Sequence, residues 1–124
     1  MRYLLIISHD DAFAPSDDLV AGIFAWIERM QARGLRVHGN PLQPADQAIT
    51  VRVRGGETVT SPGPFAATAE QISAYELLDC DSLEVALAAA AEHPMAAVAT
   101  IEVRPVWDAL AGRPATALTG GDHV

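Results

Sequence analysis

Cysteine is nearly absent from this sequence, since Cys80 is the single cysteine among 124 residues. A disulfide within the chain is therefore excluded. Cys80 lies in an apolar run, and the nearest charged residues, Asp79 and Asp81, are acidic. A reactive thiolate needs cationic neighbours or a helix N-terminus. We therefore expect a buried, inert thiol whose pKa the two carboxylates raise.

Basic residues are also scarce: 8 Lys and Arg stand against 16 Asp and Glu, for a formal net charge of −8. Nucleic acids and anionic membrane surfaces are polyanions and bind basic surfaces. The charge balance therefore disfavours both as partners.

Long hydrophobic runs are missing as well. The apolar run at 3–7 is shorter than the core of about 7–15 residues that a signal peptide needs. The alanine-rich stretch at 86–91 is bounded by Glu84 and Glu92, so it is too short to span a membrane. We expect a soluble cytoplasmic protein with one domain at 1–107 and a Gly-, Ala- and Thr-rich tail at 108–124.

Common catalytic and cofactor motifs are not found in the chain. It has neither the glycine-rich nucleotide loops nor the Gly-x-Ser-x-Gly elbow of hydrolases. His9, Asp10 and Asp11 carry suitable donor atoms, but contiguous residues on a strand end point apart and match no recognised metal site. The sequence therefore predicts no metal and no cofactor.

Hydrophobic periodicity and turn residues predict two helices and six strands. Pro15-Ser16 begins a helix that Gly34 ends. Asp81 and Glu84 form a capping box for a helix at 82–92, and His93, before Pro94, ends it and interacts with the helix dipole. The predicted strands span residues 2–8, 35–40, 49–54, 57–61, 72–79 and 98–104, with Gly55-Gly56 as the turn of a hairpin.

This order of elements is typical of a ferredoxin-like α+β sandwich. Strand, helix and strand come first, then a hairpin, and then strand, helix and strand again. Such a fold has an antiparallel sheet with two helices on one face. The second face of the sheet is left bare, and a second copy of the chain would cover it. We therefore expect a homodimer.

Polar residues alternate along several predicted strands. In strand 35–40 the alternation predicts a shared face for Arg36, His38 and Asn40, and in the last strand for Thr100, Glu102 and Arg104. Two interpretations remain open. The polar face is a solvated surface whose Glu and Arg side chains satisfy each other, or it lines a cleft against the dimer partner.

In the cleft interpretation, His38 and Glu102 are the candidate catalytic residues because an imidazole and a carboxylate of raised pKa can exchange protons. Arg104 would clamp an anionic group with its guanidinium. Asp10 lies where the first strand ends, beside the same cleft.

The segment at 60–71 has the most distinctive local pattern. Gly63 permits a positive φ, Pro64 fixes its own φ, and Phe65 places a large ring directly after this corner. Together with Leu42-Gln43-Pro44, the Thr-Val-Arg run at 50–52 and Glu102-Val-Arg-Pro105, it resembles the YCII-related family. Within that family it is most similar to the branch named for an Asp-Gly-Pro-Phe motif.

The resemblance implies a dimeric α/β barrel and a small-molecule-binding protein, with an isomerase or lyase acting on a small carboxylic or phenolic acid as the enzymatic form. It places Asp10, Arg104, Gly63, Pro64 and Phe65 at the ligand. The alternative is a non-enzymatic dimeric interaction or regulatory module, because family members are often encoded beside sigma factors. The net charge of −8 suits a basic protein partner.

Three charged residues of the family's signature loop are replaced in this chain. Pro62 stands where the motif begins with Asp, and Ala67 and Ala69 stand where Glu and Lys are usual. A reaction that used the loop Asp as acid or base would be absent here or would proceed differently. The resemblance therefore supports the fold more strongly than an activity.

Overall fold

The computed structural model describes residues 1–110, and most of the predicted tail, residues 111–124, lies outside that range. In chain order the elements are β1 (Arg2–His9), α1 (Asp17–Ala32), β2 (Arg36–Pro41), a 3₁₀ turn (Ala45–Gln47), β3 (Ile49–Arg54), β4 (Glu57–Pro62), β5 (Gln71–Asp79), α2 (Leu83–Glu92), α3 (Met95–Val98) and β6 (Thr100–Pro105).

Four of the strands form one antiparallel sheet in the order β2-β5-β1-β6. β3 and β4 form a separate two-stranded sheet, inserted in the connection between β2 and β5. When the four strands of the main sheet are renumbered 1 to 4 in chain order, their order in the sheet is 4-1-3-2. Without the hairpin, the main elements follow one another as βαββαβ. The predicted ferredoxin-like α+β fold is confirmed.

Local sequence signals account for the helix ends. The Ser16 hydroxyl accepts the Leu19 N–H at 3.1 Å and caps α1, and Gly34 follows the helix at a φ of 71°. α2 is capped by Ser82, which accepts the Val85 N–H, so the predicted cap at Asp81 is wrong. No helix in residues 1–110 is both long and apolar enough to cross a membrane.

The core lies between both main helices and one face of the sheet. Its buried residues come from β1, α1, β5, the residue after β5, and α2: Tyr3, Leu5, Trp26, Met30, Leu78, Cys80, Ala86, Ala89 and Ala90. The Trp26 indole N–H donates to the Ala89 carbonyl at 2.8 Å and joins the two helices. Burial raises the pKa of the Cys80 thiol, and the Asp79 carboxylate adds to the effect. The expected raised pKa is confirmed.

Two β-bulges decide which strand residues face the helices. The β2–β5 register skips Val37, so Arg36 and Gly39 lie on the helix face while His38 and Asn40 lie on the open face. The prediction that Arg36, His38 and Asn40 share one face is therefore wrong, because the extra residue reverses the alternation. A second bulge, between β1 and β5, falls at Ser73.

Candidate functional site

A cavity of about 420 Å³ lies between α1 and the half of the sheet that contains β2 and β5. Its walls are mostly apolar. The α1 side chains at the cavity are Leu19, Val20, Ile23, Phe24 and Ile27, and the polar or titratable residues are His9, Arg36, Asn40, Ser73, Glu76 and His93. A largely apolar cavity of this size with a few polar groups is the usual form of a small-molecule site.

An ion pair joins Arg36 and Glu76 at this cavity. Arg36 Nε donates to Glu76 Oε2 at 2.7 Å, and Arg36 Nη2 donates to the Gly39 carbonyl at 3.0 Å. Glu76 is only 5% exposed. Because two charges removed from water are tolerated only when they are paired and hydrogen-bonded, the geometry of this pair is tightly specified.

Gly39 leaves room for the Glu76 carboxylate. A Cβ added at position 39 would collide with Glu76 Oε2 and would lie 2.6 Å from the Tyr75 carbonyl oxygen. The glycine is thus required by close approach, since its φ is not positive. The Arg36–Glu76 pair can form only because position 39 has no side chain.

His93 is a second buried polar group at the cavity. It is 2% exposed, packs edge-on against Trp26 with ring centroids 4.6 Å apart, and accepts the Met95 N–H at Nδ1. Burial lowers the pKa of His93 to about 4. The predicted interaction with the helix dipole is therefore wrong, because the imidazole is neutral and its proton is on Nε2.

Two polar atoms of these residues make no hydrogen bond within residues 1–110. His93 Nε2–H donates to none of the described residues, and Glu76 Oε1 accepts from none of them. Within residues 1–110, every fully enclosed side-chain nitrogen or oxygen has a partner. Both residues line the cavity. The polar groups at the cavity thus include the Glu76 carboxylate, the His93 imidazole and the Arg36 guanidinium, which uses two of its five N–H groups in the contacts above.

The two predicted catalytic residues, His38 and Glu102, lie far apart within a single copy of the chain. His38 lies on edge strand β2 and Glu102 on the opposite edge strand, β6. Three strand spacings separate them, roughly 14 Å. His38 Nδ1 instead lies 3.4 Å from the Tyr75 hydroxyl. Both residues face the open side of the sheet, away from the cavity.

Arg104 is paired with Glu102 on that open face. Arg104 Nη2 lies 2.5 Å from Glu102 Oε2, and their side chains are 67% and 51% exposed. The expected shared face of Glu102 and Arg104 is confirmed by the register against Ile6 and Leu4. An ion pair this exposed adds little stability.

Asp10 lies in the turn after β1. Its carboxylate accepts the Ala12 N–H at 3.0 Å, and its carbonyl accepts the His9 Nδ1–H at 2.9 Å. Asp10 is exposed and does not line the cavity, whereas the neighbouring His9 does. Among the described residues, no group of three His, Cys, Asp or Glu side chains could hold a metal ion.

The corner at Gly63 has the expected backbone. Its φ is 93°, its N–H donates to the Ala48 carbonyl at 2.7 Å, and its own carbonyl accepts the Thr50 hydroxyl at 2.8 Å. Pro64 and Phe65 line a separate, open cleft of about 380 Å³ against the 3₁₀ turn. Phe65 is 75% exposed. The corner thus borders a different cleft from the one that holds Arg36 and Glu76.

A family model described as the YCII-related domain matches residues 1–109. The chain belongs to this family. An uncharacterised protein of Rhizobium meliloti (strain 1021) is 43% identical over 67 residues, which are 52% of this chain and 54% of that protein. The match thus covers about half the length of this relative. Because the relative is uncharacterised, the similarity assigns no activity to this YCII-related chain.

The sequence pattern does not identify the residues of the cavity as a site. Alternation along β2 grouped Arg36 with His38, and Glu76 had no visible partner because Arg36 is 40 residues away. One signal was available. A glycine inside a strand often marks a bulge or a close backbone approach, and Gly39 is such a residue.

Proposed function

We propose that this YCII-related protein binds a small, largely apolar molecule in the cavity under α1. The observation that carries the proposal is a largely apolar cavity whose wall includes two buried polar residues, Glu76 and His93, and within residues 1–110 neither Glu76 Oε1 nor His93 Nε2 has a hydrogen-bond partner. Such atoms are costly to leave without partners in a dry site, so a ligand that satisfies them gains specificity.

The same groups could serve an isomerase or a lyase. These reactions move a proton, and a carboxylate and an imidazole that line the same cavity are groups suited to that purpose. Carboxylic and phenolic acids both carry an apolar body with a polar end, as the cavity requires. Turnover of a bound compound tests the enzymatic function separately from the binding function.

A thermal-shift screen of small carboxylic and phenolic acids tests the binding function. At least one compound should raise the melting temperature, because a ligand of the native state stabilises it by mass action. The shift should shrink in Arg36→Lys, which loses the planar guanidinium, and in His93→Gln. It should persist in Arg104→Ala, the matched control on the other face of the sheet. A shift lost only in Arg104→Ala, or no shift with any acid, would contradict the proposal.

We propose a homodimer formed through the open sheet face as the assembly of the protein. The central strands β1 and β5 place Leu4, Ile6, Tyr75 and Leu77 side by side on that face. All four are half-buried in a single chain, and polar residues of the edge strands flank them. An apolar centre with a polar rim is the usual pattern of a specific interface.

A protein-interaction role is the second candidate, and the β3–β4 hairpin favours it. Ile49, Val51 and Val53 form one row on this hairpin and are 70%, 60% and 57% exposed. Exposed apolar rows of this kind mark contact surfaces. If the gene lies beside a sigma-factor gene, co-expression of the two proteins tests this role. Co-purification that Val51→Arg abolishes would support it, and separate elution would count against it.

A further inference from the structure

We propose that the ligand of the α1 cavity carries an alkyl chain and that the Leu42 side chain sets the length of the chain that fits. The inference rests on the proposed binding function and narrows its ligand class. It follows from the position of Leu42 between three spaces, from the way its backbone is held, and from the apolar surface that continues beyond it.

Three spaces on the protein meet at Leu42, the residue that directly follows β2. The first is the α1 cavity, and the second is the open cleft that Pro64 and Phe65 line. A third cleft, of about 330 Å³, shares His9, Leu42 and Ser73 with the α1 cavity. Within residues 1–110, Leu42 is the only residue that lines all three. Leu42 therefore lies at the boundary between the α1 cavity and both outer clefts.

The backbone at Leu42 is held by β5. Its N–H donates to the Ser73 carbonyl at 2.8 Å, which extends the β2–β5 pairing one residue beyond Pro41. Leu42 is 49% exposed and does not belong to the buried core. A substitution at this position therefore changes the boundary between the spaces without removing a core contact, and the fold should tolerate it.

Apolar side chains continue beyond Leu42 along the open cleft. Ile49, Phe65 and Ile72 line that cleft, and all three are exposed. The side chains that α1 contributes to the cavity are apolar as well. Each methylene group that a ligand buries on such a surface raises its affinity about fourfold. An alkyl chain is thus the kind of group that gains affinity on both sides of Leu42.

The Leu42 side chain closes the α1 cavity toward this apolar surface. Affinity should therefore rise with each added methylene while the chain fits inside the cavity, and it should stop rising at the length that reaches Leu42. Leu42→Ala removes most of the side chain and joins the cavity to the outer cleft. In that variant the rise should continue for at least about two further methylenes.

The test measures the binding of two homologous series, 4-alkylphenols and 4-alkylbenzoates with chains from methyl to octyl, by isothermal titration calorimetry at neutral pH. Leu42→Ala should bind the longest members at least about tenfold more tightly than the wild type does, and the shortest members equally. The matched control is Leu87→Ala. Leu87 lies on α2, is 48% exposed and lines none of the three spaces, so this variant should bind both series as the wild type does.

Leu42→Phe makes the opposite change and does not depend on the folding of the alanine variant. Its larger side chain should end the rise in affinity at a shorter chain than in the wild type. An unchanged length limit in either folded variant, or wild-type affinity that rises without a limit up to octyl, would overturn the inference and leave the binding function standing. Failure of both series to bind the folded wild type would overturn both.

Discussion

The Glu76 carboxylate fills the space that a side chain on Gly39 would occupy. The two residues are paired in register on neighbouring strands, and a Cβ at position 39 would overlap Glu76 Oε2. The Gly39 carbonyl also accepts from Arg36, so one residue without a side chain accommodates both members of the ion pair. The polar wall of the cavity depends on this contact.

Gly39→Ala should therefore destabilise the protein by about 1–3 kcal/mol, the usual cost of forcing extra atoms into a packed site. Urea denaturation measures the free energy of unfolding. The control is Asn40→Ala at the next residue, whose side chain bonds the exposed Tyr75 hydroxyl and should change stability by less than about 0.5 kcal/mol. Equal stability of Gly39→Ala and the wild type would show that Glu76 can move aside without loss.

Gly63→Ala should cost on the order of 1 kcal/mol or more, because Gly63 has a φ of 93° that residues with a Cβ rarely adopt. Apart from its two chain neighbours, no heavy atom in residues 1–110 lies within 4 Å of a Cβ added there, so the cost is one of backbone conformation. The measurement is again the free energy of unfolding. Ligand binding in the α1 cavity should be unchanged, and a variant as stable as the wild type would contradict the prediction.

Stability should fall as the pH is lowered from about 6.5 toward 4. The pKa of His93 is lowered from 6.5 to about 4 in the folded chain, so the unfolded chain takes up the proton first as the pH falls. The loss should reach about 3 kcal/mol at the lower end, since each unit of pKa difference is worth about 1.4 kcal/mol. Urea titrations between pH 7 and pH 4.5 or so measure it.

Replacement of His93 isolates its contribution to this pH dependence. The difference in unfolding free energy between wild type and His93→Gln should shrink as the pH falls through that window. Only the wild type loses the contribution of the neutral, buried His93 side chain to its stability. The matched control is His38→Gln, which removes an imidazole on the open face of the sheet, away from the cavity. A His93→Gln slope equal to that of the wild type would refute the assignment.

Ile6→Glu should convert the proposed dimer into a monomer. Ile6 lies in the centre of the open sheet face, between Tyr75 and Glu102 on the adjacent strands, and a carboxylate there would be buried without a partner in the interface. Light scattering at micromolar concentration gives the mass. Val51→Glu, on the exposed hairpin, is the control and should remain a dimer. A wild-type monomer would refute the assembly, because a specific interface of at least about 1,000 Å² should persist at that concentration.

Several features of the fold could be predicted from short stretches of sequence. Ser16 and Gly34 bound α1 as expected, Gly55-Gly56 forms the hairpin turn with both φ values positive, and Gly63 has the predicted positive φ. These features depend on capping and on the φ preferences of single residues. Capping and φ preferences act over a few neighbouring residues. The positions and order of the elements, and with them the ferredoxin-like class, could therefore be predicted from local sequence.

The candidate site depends instead on contacts between distant segments. Alternation along β2 grouped Arg36 with His38, but the bulge at Val37 places them on opposite faces of the sheet. A shift of one residue in strand register moves every following side chain to the other face. Register is set by pairing with β5, and within β2 Gly39 is the one residue that indicates the irregularity.

The sequence by itself thus determined the two main helices, the six strands, their order and the backbone corner at Gly63, because local backbone preferences and hydrophobic periodicity specify these. Only the tertiary structure decided that Arg36 meets Glu76 over Gly39, that His93 is buried neutral beside Trp26, and that His38 and Glu102 lie at opposite edges of the sheet. The physical reason is that these contacts arise from strand pairing and helix packing between residues far apart in the chain.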